Sequence, residues 1–584
     1  MRDEFLLGNQ AIARGAWESG VKFASGYPGT PSTEILETLA HYPEVDTRWS
    51  ANEKVAFEEG MGAAIGGLRV LVTMKHVGLN VAADPFMVFP YAGTIGGFVL
   101  ISADDPGMHS SQNEQDNRYL ARMAKVPVIE PSDAQECKDF VILGMEISER
   151  FGTPVMLRTT TRLAHHKALV ALDERREVAK REFIADPRLF SVPIYRRQLR
   201  PKVETRLEEL RSYAETTPIN RVEKGDPMLA VVTSGIAYQY VKEVLPEASV
   251  LRLGMTNPLP ERLLQEFCAG HGVVYVVEEG EAFIEEFMRS IGITNVQGKE
   301  RFGVIGEYSP ARLAEGFGMG QAPPSFSEAI PVMPRPPMFC IGCGHRTVFS
   351  ALRQLKVTVA GDIGCYTMGA LPPYEASHTT FNMGASIGTA IGLESAGQER
   401  VVAVIGDSTF VHAGIPALID AVYNRSQLTL VILDNSTTGM TDGQPHPGTG
   451  KSIQGKAAPK LDIAAVCRAT GVEMVLTVDT WDRKQVAGAI RKALAHPAPA
   501  VVISQGPCQQ LPEMKYREFT AYFVDEPLCT QCEACFKVWC PAIIRTDEGF
   551  PRINASECTA CTVCAQVCPT DAIYPHRETA VMAD

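Results

Sequence analysis

Short apolar runs alternate with amphipathic stretches between residues 20 and 160. The apolar runs have the length of buried β-strands, and the stretches between them have helical periodicity. Strand after helix after strand is typical of parallel βαβ units. The predicted strands are Lys22–Ser25, Arg69–Met74, Gly97–Ser102, Pro127–Glu130 and Pro154–Arg158, and two of the predicted helices are Glu53–Ile65 and Asp133–Ser148.

The same alternation recurs twice further along the chain. One set of apolar runs begins at Leu229 (LAVVTSG, SVLRLG and VVYVVEE), and another spans about 339–508, with VVAVIGD, a predicted helix Phe410–Tyr423 and LTLVILDN. Residues 167–227 are rich in charge, so we predict a linker with one or two surface helices. The prolines of 320–338 predict a domain boundary. The fold expected is three parallel-sheet α/β domains followed by a small cysteine-rich module.

Length and charge narrow the possible functions. A chain of 584 residues is too long for one hydrophobic core. The net charge of −13 disfavours nucleic acid or an anionic membrane as a partner, because both need a basic surface. No apolar run reaches the 18 or so residues of a membrane span, and MRDEFLLGNQ lacks the features of a signal peptide. We therefore expect a cytoplasmic protein.

Eight of the 15 cysteines lie between residues 529 and 568. Disulfides are unusual in a reducing compartment, so this clustering predicts metal binding. The spacing resembles that of two-cluster bacterial ferredoxins, C-x2-C-x2-C-x3-C-P. Structural zinc sites, the alternative, usually take two separated cysteine pairs.

The resemblance to ferredoxins implies two [4Fe–4S] clusters, with the fourth cysteine of each run ligating the other cluster. One cluster would be held by Cys529, Cys532, Cys535 and Cys568, and the other by Cys558, Cys561, Cys564 and Cys540. The first run has four residues before Cys540 where the ferredoxin pattern has three. Because Cys540 crosses to the other cluster, we expect a local bulge to absorb the additional residue.

Polar residues end two consecutive predicted strands of the third α/β domain. Gly406-Asp407 follows VVAVI, and Asp434-Asn435 follows LTLVIL. Ligands of parallel sheets bind at the carboxyl ends of strands, so Asp407 and Asn435 should be neighbours. A carboxylate, an amide oxygen and a backbone carbonyl suit Mg²⁺, which also takes phosphate oxygens. An ordinary βαβ unit with a capping Asp and a turn Asn is the alternative.

These residues resemble the thiamine diphosphate motif, G-D-G followed some 25 residues later by N-N. Ser408 stands at the third position and Asp434 at the first Asn, whereas the metal-ligating positions Asp407 and Asn435 are intact. The resemblance implies the carbonyl of Thr437 as third ligand. It also implies that Glu53, in WSANEKVAFEEG, is the carboxylate that binds the aminopyrimidine; a solvated first-turn Glu is the alternative.

The chain as a whole resembles the alpha subunits of indolepyruvate ferredoxin oxidoreductases, within the 2-oxoacid:ferredoxin oxidoreductases. The matching segments include GYPGTPSTE at 26–34, TMKHVGLNVAADP at 73–85, ADDPGMHSSQNEQDNR at 103–118, FCIGCGHR at 339–346, GDIGCYTMG at 361–369, MGASIG at 383–388 and DNSTTGMTDGQPHPGTG at 434–450. The resemblance implies a pyrimidine-binding domain (1–190), a linker (191–227), a transketolase C-terminal-like domain (228–325), a diphosphate-binding domain (335–515) and a ferredoxin domain (520–584).

The resemblance also implies further site residues. Thr30 would contact substrate, or else cap the following helix; His76, with Asn80 nearby, would face the cofactor, or else be a buried structural histidine. His109 is a weaker candidate. Cys340 and His345 belong to a C-x2-C segment that lacks the second pair of a closed zinc site, so we expect cofactor contact and no metal there. The remaining predicted cofactor-binding residues are Cys343, Gly344, Cys365, Tyr366, Gly406 and Ser408.

The reaction implied is oxidative decarboxylation of arylpyruvates such as indolepyruvate and phenylpyruvate. Thiamine diphosphate and Mg²⁺ would serve the decarboxylation, CoA would take the acyl group, and the two clusters would pass single electrons to ferredoxin or another electron acceptor. Two alternatives stay open: another 2-oxoacid (pyruvate, 2-oxoglutarate or a branched-chain acid), or an electron-transfer subunit without its own thiamine chemistry. The resemblance also implies a smaller beta subunit, in an α2β2 assembly.

Overall fold

The computed structural model describes residues 2–183, 185–186, 189, 191–319 and 337–575, apart from the side chain of Arg2. The chain divides into two compact units, residues 1–333 and 334–584. Most of the proline-rich segment predicted as a boundary lies outside the described residues.

The first unit is built on a seven-stranded sheet. Five of the strands were predicted to within two residues at each end, and these lie parallel to one another. One edge strand comes from much later in the chain and runs antiparallel to Val128–Ile129. The spatial order is Met255–Asn257, Val128–Ile129, Val155–Thr160, Phe98–Asp104, Val70–Lys75, Phe23–Gly26 and Asp46–Trp49.

A second sheet of five strands lies in the same unit. Four strands are parallel, and Asn220–Glu223 pairs antiparallel with Ala248–Leu253. The order is Val296–Gln297, Val274–Val277, Asp226–Ser234, Ala248–Leu253 and Asn220–Glu223. Arg2–Leu7 and Lys167–Leu172 form a separate antiparallel pair. The helices of the unit are Gly8–Glu18, Thr33–Leu39, Glu53–Ile65, Gly78–Val81, Ala83–Ala92, Arg118–Ala124, Ala134–Phe151, Thr161–His165, Pro193–Ala214, Ala237–Val244, Glu261–Ala269, Phe283–Ser290, Lys299–Phe302 and Pro310–Gly316.

The segment 167–227 includes a surface helix, as its charge predicts, and it also contributes strands to two sheets. Its helix, Pro193–Ala214, buries Leu199, Val203 and Leu210. Both of its ends carry strands that belong to sheets. The buried face of this helix is difficult to recognise in the sequence, because its apolar positions are few and widely spaced among arginines and glutamates.

Buried ion pairs connect the two sheets of the first unit. Arg158 Nε lies 2.6 Å from Asp104 Oδ2, and Arg158 Nη1 lies 2.9 Å from Glu130 Oε2. Arg118 Nη1 lies 2.9 Å from Glu278 Oε2, at the end of a strand of the second sheet. Charges this deeply buried need partners, and these supply them. Several charges of the matching segment 103–118 therefore have a structural role.

The second unit contains a five-stranded sheet in which all strands are parallel. The order is Thr358–Ala360, Val401–Gly406, Thr429–Asp434, Ala500–Gln505 and Met474–Asp479. The central strands are buried on both faces, as expected for a parallel sheet between helices. The helices are His345–Leu355, Ala385–Ser395, Asp407–Thr409, Ile415–Tyr423, Ile463–Ala469, Arg483–Leu494 and Pro512–Lys515, with a π-helical turn at Phe410–Gly414 and 3₁₀ turns at Cys365–Ala370 and Gly439–Thr441.

The cysteine-rich module has two short antiparallel strand pairs. Tyr522–Val524 pairs with Ile573–Pro575, and Ile543–Arg545 pairs with Pro551–Ile553. Three 3₁₀ turns accompany them, at Glu526–Leu528, Phe536–Val538 and Ala565–Val567. Three parallel-sheet α/β regions and a small ferredoxin-like module are thus the fold class predicted from the sequence.

Candidate active site

Three oxygen-bearing groups meet at the carboxyl edge of the third sheet. One atom of the Asn435 side-chain amide lies 2.7 Å from the Thr437 carbonyl oxygen and 3.3 Å from Asp407 Oδ1. The amide nitrogen at this position would donate to both oxygens. With a cation between the three groups, the amide oxygen would take the position instead. A carboxylate, an amide and a carbonyl that converge in this way fit Mg²⁺, which phosphate oxygens and water would complete.

The backbone fixes the Asp407 carboxylate. Ser408 N donates to its Oδ1 and Ser436 N to its Oδ2, both at 2.8 Å. His446 Nε2 lies 3.3 Å from Oδ2. The side chain is almost fully buried. Asp434, in the position of the first Asn of the motif, accepts from Gln505 Nε2 at 2.9 Å, and burial and the neighbouring Asp407 carboxyl raise its pKa.

His345 begins the helix His345–Leu355, and Gly344 caps it. Burial lowers the pKa of His345 to about 4, although the nearby Asp407 carboxylate acts in the opposite direction. The histidine is therefore neutral at physiological pH, beside a helix N-terminus that favours anions. A Cβ at Gly344 would lie 2.3 Å from Thr480 Cγ2, so the turn requires glycine.

The Tyr366 ring forms part of the same edge. A Cβ at Gly406 would lie 2.8 Å from Tyr366 Cε1, so glycine lets the ring lie over the strand end. Tyr366 Oη donates to the Ile363 carbonyl at 2.8 Å. Ser408 Oγ lies 3.0 Å from Thr438 Oγ1. The structure thus brings the predicted diphosphate-site residues to one edge.

Asp362 is a site-forming residue that the sequence reasoning missed. Its carboxylate accepts from the backbone amides of Gly384 at 2.8 Å and Ser386 at 2.9 Å. It thereby ties the GDIGC turn to the N-terminus of the helix Ala385–Ser395. The sequence signal for Asp362 lies in the segments GDIGCYTMG and MGASIG. Each resembles the family, but the sequence does not show that the two segments contact each other.

Four cysteine thiols are neighbours next to this edge. Burial raises the pKa of Cys365 to about 11, and the thiols of Cys508 and Cys340 raise it further. Burial likewise raises the pKa of Cys343 to about 12, with further contributions from Cys340 and Cys365. Cys508 N donates to the Asn435 carbonyl at 2.9 Å. The C-x2-C segment therefore has the two additional thiols that its sequence appeared to lack.

Glu53 is the first residue of its helix in the first unit. Asn52 caps this helix by accepting from Val55 N at 2.9 Å, and the Glu53 side chain is buried. A Cβ at Gly78 would lie 2.8 Å from Glu53 Oε1, so glycine leaves room for the carboxyl group. Glu58 and Glu59 are engaged elsewhere, with Lys54 and Ser50 respectively.

Lys75 connects Glu53 with the segment around Thr30, and the sequence reasoning missed it. Burial lowers the pKa of Lys75 to about 8, whereas the carboxylates of Asp105 and Glu53 favour its charged form. Its Nζ donates to the Ser110 carbonyl at 2.8 Å, and Ser110 Oγ donates to the Thr30 carbonyl at 3.2 Å. A cation poised between charged and neutral forms is a typical site feature.

Three other candidates have structural contacts. Ser32, not Thr30, is the N-cap residue of the helix Thr33–Leu39, so the capping role considered for Thr30 is wrong. His76 is fully buried, with Nε2 3.0 Å from the Asn113 carbonyl. Asn80 Nδ2 donates to Gln115 Oε1 at 2.9 Å, and His109 Nε2 lies 3.1 Å from Glu307 Oε2. A catalytic role for His76 remains a prediction.

Seven of the module's eight cysteines fall into two groups of neighbouring thiols. Burial raises the pKa of Cys561, and the thiols of Cys540 and Cys558 raise it further. Burial raises the pKa of Cys564 as well, with Cys561, Cys558 and Cys540 adding to the effect. The other group is marked by Cys535, whose pKa is raised by burial and then by Cys529 and Cys532. Thr570, two residues after Cys568, donates to the Leu528 carbonyl at 2.8 Å.

Among the described residues, no three His, Cys, Asp or Glu side chains are arranged to hold a single metal ion. A cubane spaces its cysteine sulfurs more widely than the ligands of one ion, and the Asp407 edge uses a carbonyl and an amide. The described helices include none that is long and apolar enough to cross a membrane.

Three family descriptions match this chain. Residues 14–198 match "Pyruvate flavodoxin/ferredoxin oxidoreductase, thiamine diP-bdg", and residues 362–504 match "Thiamine pyrophosphate enzyme, C-terminal TPP binding domain". Residues 521–569 match "4Fe-4S dicluster domain".

Indolepyruvate oxidoreductase subunits IorA align over nearly the full chain. The Archaeoglobus fulgidus subunit is 42% identical, the Methanothermobacter thermautotrophicus subunit 43% and the Pyrococcus horikoshii subunit 39%, each over 98% of this chain and 97% of the relative. The chain belongs to the IorA family. A solved 2-oxoglutarate:ferredoxin oxidoreductase from Magnetococcus marinus aligns with a TM-score of 0.46 and 16% identity, over 54% of this chain and 65% of that chain.

Membership of the IorA family makes the chain a subunit of a 2-oxoacid:ferredoxin oxidoreductase. It binds thiamine diphosphate and iron–sulfur clusters of the 4Fe–4S type. Its electron acceptor is ferredoxin. The early prediction of the family, the enzyme class and these cofactor types is confirmed.

Proposed function

We propose that this IorA-family subunit oxidatively decarboxylates arylpyruvates such as indolepyruvate and phenylpyruvate. One arylpyruvate, one CoA and two oxidised ferredoxins would give one aryl-acetyl-CoA, CO2, a proton and two reduced ferredoxins. The observation that carries the proposal is the convergence of Asp407, Asn435 and Thr437 oxygens beside four clustered thiols. A thiamine diphosphate site beside one-electron carriers fits an oxidative decarboxylation better than a non-oxidative one, which would not need the carriers.

Thiamine diphosphate supplies the electron sink for loss of CO2. Asp407, Asn435 and the Thr437 carbonyl would hold Mg²⁺, and the N-terminus of the helix that starts at His345 would favour the diphosphate. Glu53 would accept a hydrogen bond at the aminopyrimidine and hold the proton exchanged there. Thr30 would contact the substrate, and Lys75 supplies a positive charge for its carboxylate. His76 is proposed to support this side of the site.

The module would hold two [4Fe–4S] clusters, ligated as its thiol groups suggest. We also propose a third cubane at Cys340, Cys343, Cys365 and Cys508. The raised pKa values of Cys343 and Cys365 mean that these thiols are protonated in the free protein, so binding of iron releases protons. This proposal differs from the expectation that the C-x2-C segment binds no metal, and it is supported by the nearby thiols of Cys365 and Cys508. Iron and sulfide counts per chain would test it.

A smaller beta subunit is proposed to complete the enzyme, in an α2β2 assembly. We also place the enzyme in the cytoplasm, where reducing conditions keep cluster-ligating cysteines out of disulfides. Gel filtration and mass measurement of the co-expressed subunits would give the stoichiometry. Full CoA-dependent activity of the alpha chain alone would contradict the proposal.

A substrate panel tests the specificity. The complex, loaded with thiamine diphosphate and Mg²⁺, is assayed for ferredoxin reduction with indolepyruvate, phenylpyruvate, pyruvate and 2-oxoglutarate, with and without CoA. We expect the highest kcat/KM with the two arylpyruvates. A preference for pyruvate or 2-oxoglutarate would refute the substrate assignment, and no CoA-dependent turnover with any of them would favour an electron-transfer role.

A further inference from the structure

The additional residue of the first cysteine run can be identified in the structure. Both runs form a 3₁₀ turn before their last cysteine, Phe536–Val538 in the first and Ala565–Val567 in the second. In the second run Cys568 follows at once. In the first, Trp539 intervenes with a left-handed backbone (φ 53°), and Cys540 comes next. Trp539 is therefore the residue by which this run exceeds the ferredoxin spacing.

The side chain of Trp539 leaves its own module. The ring packs against the hydrophobic core of the diphosphate-binding domain, with its centroid 5.1 Å from that of Tyr374 at an interplanar angle of 78°. The Arg353 guanidinium lies 5.3 Å from the ring centroid. Edge-to-face pairs and cation–π contacts of this kind are both favourable.

Arg346 reinforces the same contact through the backbone. Its Nη1 donates to the Trp539 carbonyl at 2.6 Å, and its Nε donates to the Cys340 carbonyl at 2.8 Å. The guanidinium is almost fully buried, and Nη1 also donates to Tyr374 Oη at 3.2 Å. One side chain thus connects the peptide before Cys540 with the peptide of Cys340.

A second close approach lies beside it. A Cβ at Gly342 would lie 2.0 Å from Thr559 Oγ1, so the C-x2-C turn and the Cys558–Cys561 loop are in direct contact. Trp481 Nε1 donates to the Gly342 carbonyl at 2.9 Å, and Gln566 Nε2 donates to the Trp481 carbonyl at 2.8 Å. The loop that faces the domain belongs to the same ligand set as Cys540.

We infer that Trp539 is a docking residue, which with Arg346 holds the cluster of Cys540, Cys558, Cys561 and Cys564 against the diphosphate-binding domain. Of the two clusters of the module, this one then receives electrons first, and the cluster of Cys529, Cys532, Cys535 and Cys568 delivers them onward. The docking stands on the contacts alone, whereas the order of electron transfer rests on the proposed function. Trp539 positions the cluster and does not touch the reacting atoms.

The test uses the complete complex with Trp539→Ala, Trp539→Phe and a Lys537→Ala control. Lys537 lies in the same spacer with an exposed side chain. Docking is measured by limited trypsin digestion at Lys515 and Arg517, in the segment that leads to the module. We expect cleavage about tenfold faster in Trp539→Ala, an intermediate rate in Trp539→Phe and no change in Lys537→Ala. Equal cleavage of Trp539→Ala and wild type would overturn the docking role.

Electron transfer is measured separately on the same proteins. The variants are mixed with indolepyruvate and CoA and frozen at intervals, and cluster reduction is followed by electron paramagnetic resonance. With dithionite-reduced spectra and iron content at wild-type levels, we expect Trp539→Ala to slow substrate-driven reduction of both clusters by about tenfold or more. Unchanged reduction rates despite faster cleavage would refute the order of transfer. Faster cleavage without substrate-driven reduction even in wild type would refute the proposed function and leave the docking intact.

Discussion

Replacement of Glu53 by Gln removes the proposed proton acceptor while keeping the shape of the side chain. Glu53 is buried at the first position of its helix, against Gly78, so an isosteric amide fits the same space. Loss of a positioned acid–base group typically costs 10²–10⁴-fold in rate, about 3–5 kcal/mol of transition-state free energy. We expect kcat/KM to fall by that factor.

The effect on stability should be much smaller. Removal of one negative charge from a helix N-terminus costs about 0.3–1 kcal/mol. Lys75 loses a neighbouring carboxylate at the same time, so its pKa should fall further below about 8. A catalytic loss far above the stability loss is the signature of a residue that acts in the reaction.

The assay is ferredoxin reduction by the co-expressed complex, together with proton exchange at C2 of the bound thiazolium and thermal unfolding. Glu58→Gln is the matched control, because Glu58 lies in the same helix and forms a half-exposed ion pair with Lys54. Exposed pairs contribute at most about 1 kcal/mol, so the control should keep its activity. Glu53→Gln with wild-type turnover and exchange would refute the assignment of Glu53.

Cys540→Ser should remove or convert one [4Fe–4S] signal and leave the other; loss of neither would contradict the crossed ligation. Cys508→Ala should lower iron content by about four atoms per chain if the third cubane exists, and unchanged iron would exclude it. Asp407→Asn should weaken Mg²⁺-dependent binding of thiamine diphosphate, measured by calorimetry, by about 10–100-fold, and unchanged binding would contradict the proposed metal site. The pKa of His345 is about 4 in the folded protein against an ordinary 6.5, so unfolded chains bind a proton first as pH falls. Stability should therefore decrease from pH 6.5 towards pH 4, by about 3 kcal/mol in total, and His345→Gln should remove that part of the decrease in denaturant titrations.

Local patterns predicted the elements that position the site. The helix Glu53–Ile65 has the predicted bounds, because an Asn cap precedes a continuous helical pattern. Asp407 and Asn435 could be placed together because parallel neighbours end at one sheet edge. The helix predicted as Phe410–Tyr423 starts earlier, at Asp407. It includes a π-helical turn, which the hydrophobic periodicity of the sequence does not predict.

Contacts between residues far apart in the chain could not be predicted from the sequence. Met255–Asn257 is only three residues long, and nothing local shows that it joins a sheet formed by residues 23–160. Lys75 reads as the end of a strand, and only folding places it between Glu53 and Ser110. Cys508 is a lone cysteine far along the chain from Cys340, so the fourth thiol could not be assigned by spacing.

The one departure of the first cysteine run from the ferredoxin spacing marks a residue, Trp539, with a role of its own. The first run has four residues before Cys540 where the ferredoxin pattern has three, yet Cys540 lies with Cys558, Cys561 and Cys564. A ferredoxin that moves freely needs no more than its ligand spacing. A ferredoxin module that is fixed to an enzyme must also contact its neighbour without disturbing the ligands. A single inserted residue in a left-handed conformation meets both requirements, since it lets the Trp539 ring reach Tyr374 while the turn before it and the cysteine after it stay in place.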